Sequence, residues 1–200
     1  MMHRSLVALA LAAGATACRP PHETPAAAQQ TGRIVMDSVV PRDVALQQFR
    51  KCCARVDSLS GGASSRQALI QRFVRSIETR DTASLRALLL NRDEFAWVYY
   101  ETAPQGLPPY NLSPALMWFL LEGNSGKGLG RALSEYGGHA FGYVDHVCDS
   151  SVVHEGANSI VGPCTVRRVA SSGDTVAVRL FGLLLQRGGR WKFITYANKL

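Results

Sequence analysis

The sequence predicts an α+β domain: N-terminal helices, with an inserted helical pair, packed on a curved, cone-like antiparallel β-sheet. Three observations lead there. Apolar residues recur at helical spacing as far as Tyr136, whereas beyond His139 they alternate with polar ones. Turn signals at residues 171–174 and at Gly188-Gly189 divide that second half into hairpin-sized pieces. The helices come first and the strands afterwards, so the strands have no crossover helices between them and pair as a meander.

In chain order, residues 43–57 read as a helix with Leu46, Phe49, Cys53 and Val56 on one face, ended by Gly61-Gly62. Ser64 with Gln67 forms a capping box for the next helix, whose inner face is Leu69, Ile70, Phe73, Val74 and Ile77. Asp81 or Thr82 caps a shorter helix carrying Leu85, Leu88 and Leu89. Residues 93–100, apolar and aromatic together, fit a helix or a strand equally. Pro104, Pro108 and Pro109 make residues 102–110 a loop. Ser113-Pro114 then opens the inserted pair, with a capping side chain and a proline at the first helical position. Residues 116–121 are apolar on nearly every side and are expected to be deeply buried. A glycine-rich connection at 122–130 leads to a second short helix ending at Tyr136.

Residues 139–198 form the meander. Phe141, Tyr143 and Val147 alternate, as do Ile160 and Val166, then Val176, Val178 and Leu180. Trp191, Phe193 and Thr195 share one face of the last strand. The domain is expected to span residues 42–200 as one unit.

What precedes it reads differently. His3 and Arg4, an uncharged apolar stretch at 6–15 and small residues up to Ala17 have the three parts of a secretory signal, residues 1–17. The apolar run is about half of the ~20 residues that span a bilayer. Residues 18–41, rich in proline, alanine and glutamine, have little to bury and suit a flexible tether. Ala15-Thr16-Ala17-Cys18 resembles the lipobox of bacterial lipoproteins, with Ala15 where that family usually has leucine. The resemblance implies acylation of Cys18, a palmitate-type anchor and a place at the cell envelope, on an outer membrane or periplasmic face rather than in the cytoplasm. Plain cleavage after Ala17 is the alternative.

The chain carries 22 Lys and Arg against 15 Asp and Glu, a net charge of +7. The cations are spread from Arg33 to Lys199 without a dense run, so nucleic acid is not expected as a partner. An exported chain meets an oxidising compartment, and Cys148–Cys164 is the preferred disulfide, between two predicted strands. Cys52 and Cys53 would then be buried thiols or an exposed reactive pair; the rival pairing joins each to one strand cysteine. Cysteine and histidine spacings contain no paired ligand motif, so neither a metal nor a cofactor is expected.

Phe73-Val74 on a helix, Asp81, the run Leu85, Leu88, Leu89 and the final strand at 190–197 resemble the nuclear transport factor two-like superfamily. There a helical hairpin precedes a strongly curved sheet. The pair at 113–136 departs from the superfamily pattern, and no catalytic signature of the superfamily is present. The resemblance implies a cone-shaped pocket. Some of its members isomerise steroids with an acid and a tyrosine, for which Asp145 with Tyr99, Tyr100 or Tyr143 would serve.

Candidate chemistry is sparse. Asp145 lies in an apolar-aromatic strand, where a carboxylate facing the concave side would have a raised pKa and could take a proton. His139, His146, His154 and Glu155 are the other members of the only His/acid concentration. Residues 123–128 resemble a phosphate loop but have Leu121 where the first glycine belongs and Gly128 where Ser or Thr belongs. Lys127 could still hold an anion there, near a helix start. Tyr99, Trp118 and Tyr143 are the aromatic candidates for a pocket. The sequence thus favours a non-enzymatic ligand- or partner-binding module, with a small apolar ligand, an envelope protein or a second copy as partner. An isomerase or hydrolase using Asp145 is the alternative.

Overall fold

The computed structural model describes residues 40–198. Residues 1–17, Cys18 and nearly all of the tether lie outside the described residues. Helices come first: α1 (Arg42–Arg50), α2 (Arg66–Glu78), α3 (Thr82–Leu88), α4 (Arg92–Glu94) running into a π-helical turn (Phe95–Tyr99), and α5 (Pro114–Tyr136). Strands follow: β1 (Tyr143–Cys148), β2 (Val152–Glu155), β3 (Asn158–Val161), β4 (Cys164–Val169), β5 (Thr175–Val178), β6 (Leu184–Arg187) and β7 (Arg190–Phe193).

The strands form two antiparallel sheets, ordered β1-β4-β5 and β2-β3-β6-β7. Register shows how they are related. Cys148 faces Cys164 while Val152 faces Val161. Val166 faces Val178 while Val161 faces Leu184. The two sheets are therefore halves of one meander of four arms, β1–β2, β3–β4, β5–β6 and β7. The first three arms are interrupted at residues 149–151, 162–163 and 179–183. Interrupting neighbouring arms at the same level bends the whole sheet there, and curvature follows from the register itself. No barrel closes, because the first and last arms do not pair.

Consecutive residues of the second sheet pack on opposite faces. Val161, Leu184 and Phe193 join the core of α2 and α3, around Phe73, Phe181 and Tyr196. Ile160, Leu185 and Ile194 join a second core with α1 and the π-helical turn, around Phe95, Tyr99 and Tyr100. On this second face Lys192, opposite Leu185, is buried and bonds both Glu94 oxygens at 2.9 and 2.7 Å. Glu94 also accepts from the Ser60 and Asn91 backbone N–H groups, so the buried charge is fully partnered.

Several expectations need correction. The first helix stops at Arg50, not at residue 57: Ala54 N–H turns to Asp93 Oδ1 instead of continuing the helical ladder. The α2 cap is Ser65, accepting from Ala68 N–H, rather than Ser64. Gln67 reaches Tyr143 Oη rather than back to the cap. Residues 93–100 are helical, begun by an Asn91/Glu94 capping box. The inserted pair is one continuous helix, α5. Within it only Met117 of residues 116–121 is buried, because a single helix turns just one side to the core.

Candidate functional site

The glycine-rich part of α5 is explained by what it touches. A Cβ on Gly128 would lie 1.8 Å from the Tyr196 carbonyl oxygen, so only glycine lets the helix lie on the chain after β7. One turn earlier Ser125 Oγ meets Thr195 Oγ1 at 3.0 Å and accepts from Tyr196 N–H. These contacts pin the middle of α5 against residues 195–196.

Towards its N-terminal half, α5 stands away from α3 and leaves a groove of about 380 Å³. Leu89, Leu90, Trp118, Leu121, Leu129 and Ile194 make its apolar walls, and Arg86 and Glu122 are its charged members. Trp118 is held by Phe95, with ring centroids 5.3 Å apart. The volume is at the low end of small-molecule pockets, and an apolar wall with few polar groups is their usual composition. What the groove can do is bind an apolar body.

The other residues singled out in the sequence do not converge on it. Asp145 lies on an exposed face of β1, where Arg167 of β4 grips both its oxygens. Hydrogen bonding from Arg167, first, and the guanidinium charge hold its carboxyl below the usual carboxylate range. The raised pKa expected for Asp145 is thus reversed. The cause is register: Asp145 and Arg167 are cross-strand partners. Tyr99 is core, and burial pushes its phenol up. Tyr143 Oη meets His146 Nδ1 at 3.0 Å and accepts from Gln67, and Tyr143 does not line the groove. Burial lowers the His146 pKa, with Arg66 adding to it. His154 bonds Ser159 Oγ in the other sheet, so the histidines do not meet.

Lys127 sits in mid-helix, not near a helix start, and backbone amides there are committed to α5. With Asn124, Arg131, Arg179 and Asn198 it lines a separate groove of about 340 Å³. Cys148 and Cys164 form the disulfide, directly opposed across β1 and β4. Cys52 and Cys53 are free, both thiols turned to the Phe49 carbonyl. Burial, and then the neighbouring Cys52, raise the pKa of Cys53. No group of three or more His, Cys, Asp or Glu among the described residues could hold a metal ion. No described helix is long and apolar enough to cross a membrane.

One acid of the His/acid concentration stands apart from the rest. Glu155, at the end of β2, has a buried Oε2 without a hydrogen-bond partner, and burial raises its pKa. It lies near enough to Tyr99 to raise the phenol further. In the sequence Glu155 stands only as one member of the His/acid concentration, because a carboxylate at the hairpin end of a half-polar strand looks solvated.

No protein-family model, curated protein or solved structure matches the chain.

Proposed function

We propose that this chain is an exported bacterial protein, held at a membrane through lipid on Cys18, whose domain binds a small apolar ligand without transforming it. One observation carries the binding claim: the α3–α5 groove, whose walls are Leu89, Leu90, Trp118, Leu121, Leu129 and Ile194. Ser125 and Gly128 fix α5 against residues 195–196 within the stretch, Trp118 to Leu129, that lines the groove. The alternative, an enzyme using Asp145, loses its main support because that carboxylate is exposed and paired with Arg167.

The test is titration with N-phenyl-1-naphthylamine, a fluorophore that brightens in apolar surroundings. Saturable binding is expected, abolished by Leu121→Arg, which fills the groove and adds a charge. Absence of saturable binding, or binding equal in Leu121→Arg, contradicts the reading. The anchor is tested separately, by the mass of the N-terminal peptide isolated from a bacterial membrane fraction. The reading expects that peptide to begin at Cys18 and to carry acyl chains, and Cys18→Ser to release the protein from the membrane. An unacylated N-terminus contradicts it.

A further inference from the structure

The outward face of α5 changes character along its length. Leu116, Phe119 and Leu120 are turned to solvent, 46%, 69% and 41% exposed, while Met117 and Ser125 are buried. The elements beside the start of α5 add exposed Val40, Val44, Leu107 and Tyr110. A groove lined by Val40, Ala45, Gly106 and Ser113 shows that these segments meet at the α5 N-cap. Scattered apolar residues on a surface need no explanation, but a protruding phenylalanine with two exposed leucines on the same two helical turns does.

Further along the same side come Asn124, Lys127 and Arg131, which with Arg179 line the second groove. Among the described residues no carboxylate lines it, and none of its three cations is in an ion pair. Lys127 and Arg131 are four residues apart on one helix, a like-charge spacing that repels; Arg131 donates to both Asn198 oxygens, which leaves its charge without a counterion among the described residues.

We propose that this face docks on an anionic phospholipid surface, with Leu116, Phe119 and Leu120 entering the headgroup–acyl boundary and Lys127, Arg131 and Arg179 receiving headgroup phosphates. The proposal rests on the reading that the chain is tethered at a membrane, and it names the surface the domain meets there. Two further facts choose lipid over other occupants. Phe119 and Lys127 are separated by eight residues, about 12 Å along the helix, while amphipathic faces sink about 5–10 Å. A helix entering N-terminal end first therefore holds its cations at phosphate level while its apolar end is immersed. The described chain also begins at exposed Val40, in the groove that reaches the α5 N-cap Ser113.

The test is hydroxyl-radical footprinting of the full chain, read at Phe119 and, as a control, at exposed His154 in β2. It is done with phosphatidylcholine vesicles, with vesicles of phosphatidylcholine and phosphatidylglycerol at 7:3, and without lipid. Oxidation of Phe119 is expected to fall at least five-fold on the mixed vesicles only, with His154 unchanged. Each cation near an anionic surface strengthens attachment roughly five-fold, so Lys127→Glu with Arg179→Glu should abolish the protection, as should 0.5 M salt. Both substitutions are at exposed positions, and an unchanged thermal midpoint verifies the fold. Equal labelling in all conditions overturns the proposal, and so does equal protection on both lipids. Protection that grows with protein concentration without lipid overturns it in favour of a second copy. The acyl mass on Cys18 is read independently, so loss of the anchor and loss of docking give different results.

Discussion

Replacing Lys192 by methionine is expected to be the most damaging single change to this fold outside its apolar cores. The methionine keeps the volume of the stem but removes the charge, leaving Glu94 buried with only the Ser60 and Asn91 donors. Both partners are almost wholly inaccessible, at 2% and 1% side-chain exposure, so solvent cannot repair the loss. Removing one member of a buried pair costs about 3–5 kcal/mol. With a urea m-value near about 2 kcal/mol/M, the unfolding midpoint should fall by about 2 M, followed by far-ultraviolet circular dichroism. The double variant Glu94→Gln with Lys192→Met should be less destabilised than Lys192→Met alone, because no unpaired charge remains. A loss below about 1 kcal/mol for Lys192→Met, the size typical of an exposed pair, would refute the reasoning.

Three further predictions follow from other parts of the structure. Cys148→Ala with Cys164→Ala opens a loop closed over a separation of 16 residues and should cost about 3 kcal/mol in the same assay. Gly128→Ala forces a methyl against the Tyr196 carbonyl oxygen and should destabilise by about 1–3 kcal/mol. Gly130→Ala, whose Cβ meets nothing, should stabilise by up to about 1 kcal/mol; opposite signs in thermal melts check the pair. Glu155 has a raised folded pKa, so the folded state binds its proton more tightly than the unfolded chain does. That contribution is present at pH below the ordinary value of 4.5 and is lost as pH rises through the folded pKa. Glu155→Gln should therefore gain stability over the parent at pH 7 and match it near pH 4; a larger gain at pH 4 contradicts the assignment.

The sequence revealed patterns carried by one element and hid those that depend on two. Leu69, Ile70, Phe73, Val74 and Ile77 face the core as their spacing requires, because α2 packs one stripe against one sheet face. The hairpin turns are where glycine placed them, with Gly173, Gly188 and Gly189 all at positive φ. The disulfide also matches, since Cys148 and Cys164 stand opposite each other on paired strands. The continuity of α5 was not legible: glycines argue against a helix, and the reason for Gly128 lies in backbone at residue 196. Lys192 in an alternating strand reads as solvent-facing, and its partner is 98 residues away. Asp145 failed for the same reason, because pairing with Arg167 depends on register between strands.

Of the candidate site, Trp118 was legible as a pocket aromatic. Leu89 and Leu121, the groove walls around it, looked like ordinary core at helical spacing. Only tertiary packing decides whether such a leucine is covered or lines an opening.

The central claim, an apolar ligand in the α3–α5 groove, is tested most directly through the three tryptophans. Their indole N–H signals are resolved in a proton–nitrogen correlation spectrum, and only Trp118 lines the groove. Titration with N-phenyl-1-naphthylamine is expected to shift the Trp118 signal saturably and leave Trp97 and Trp191 in place. A Trp118 signal that does not move while the probe binds, or three signals that move together, contradicts it.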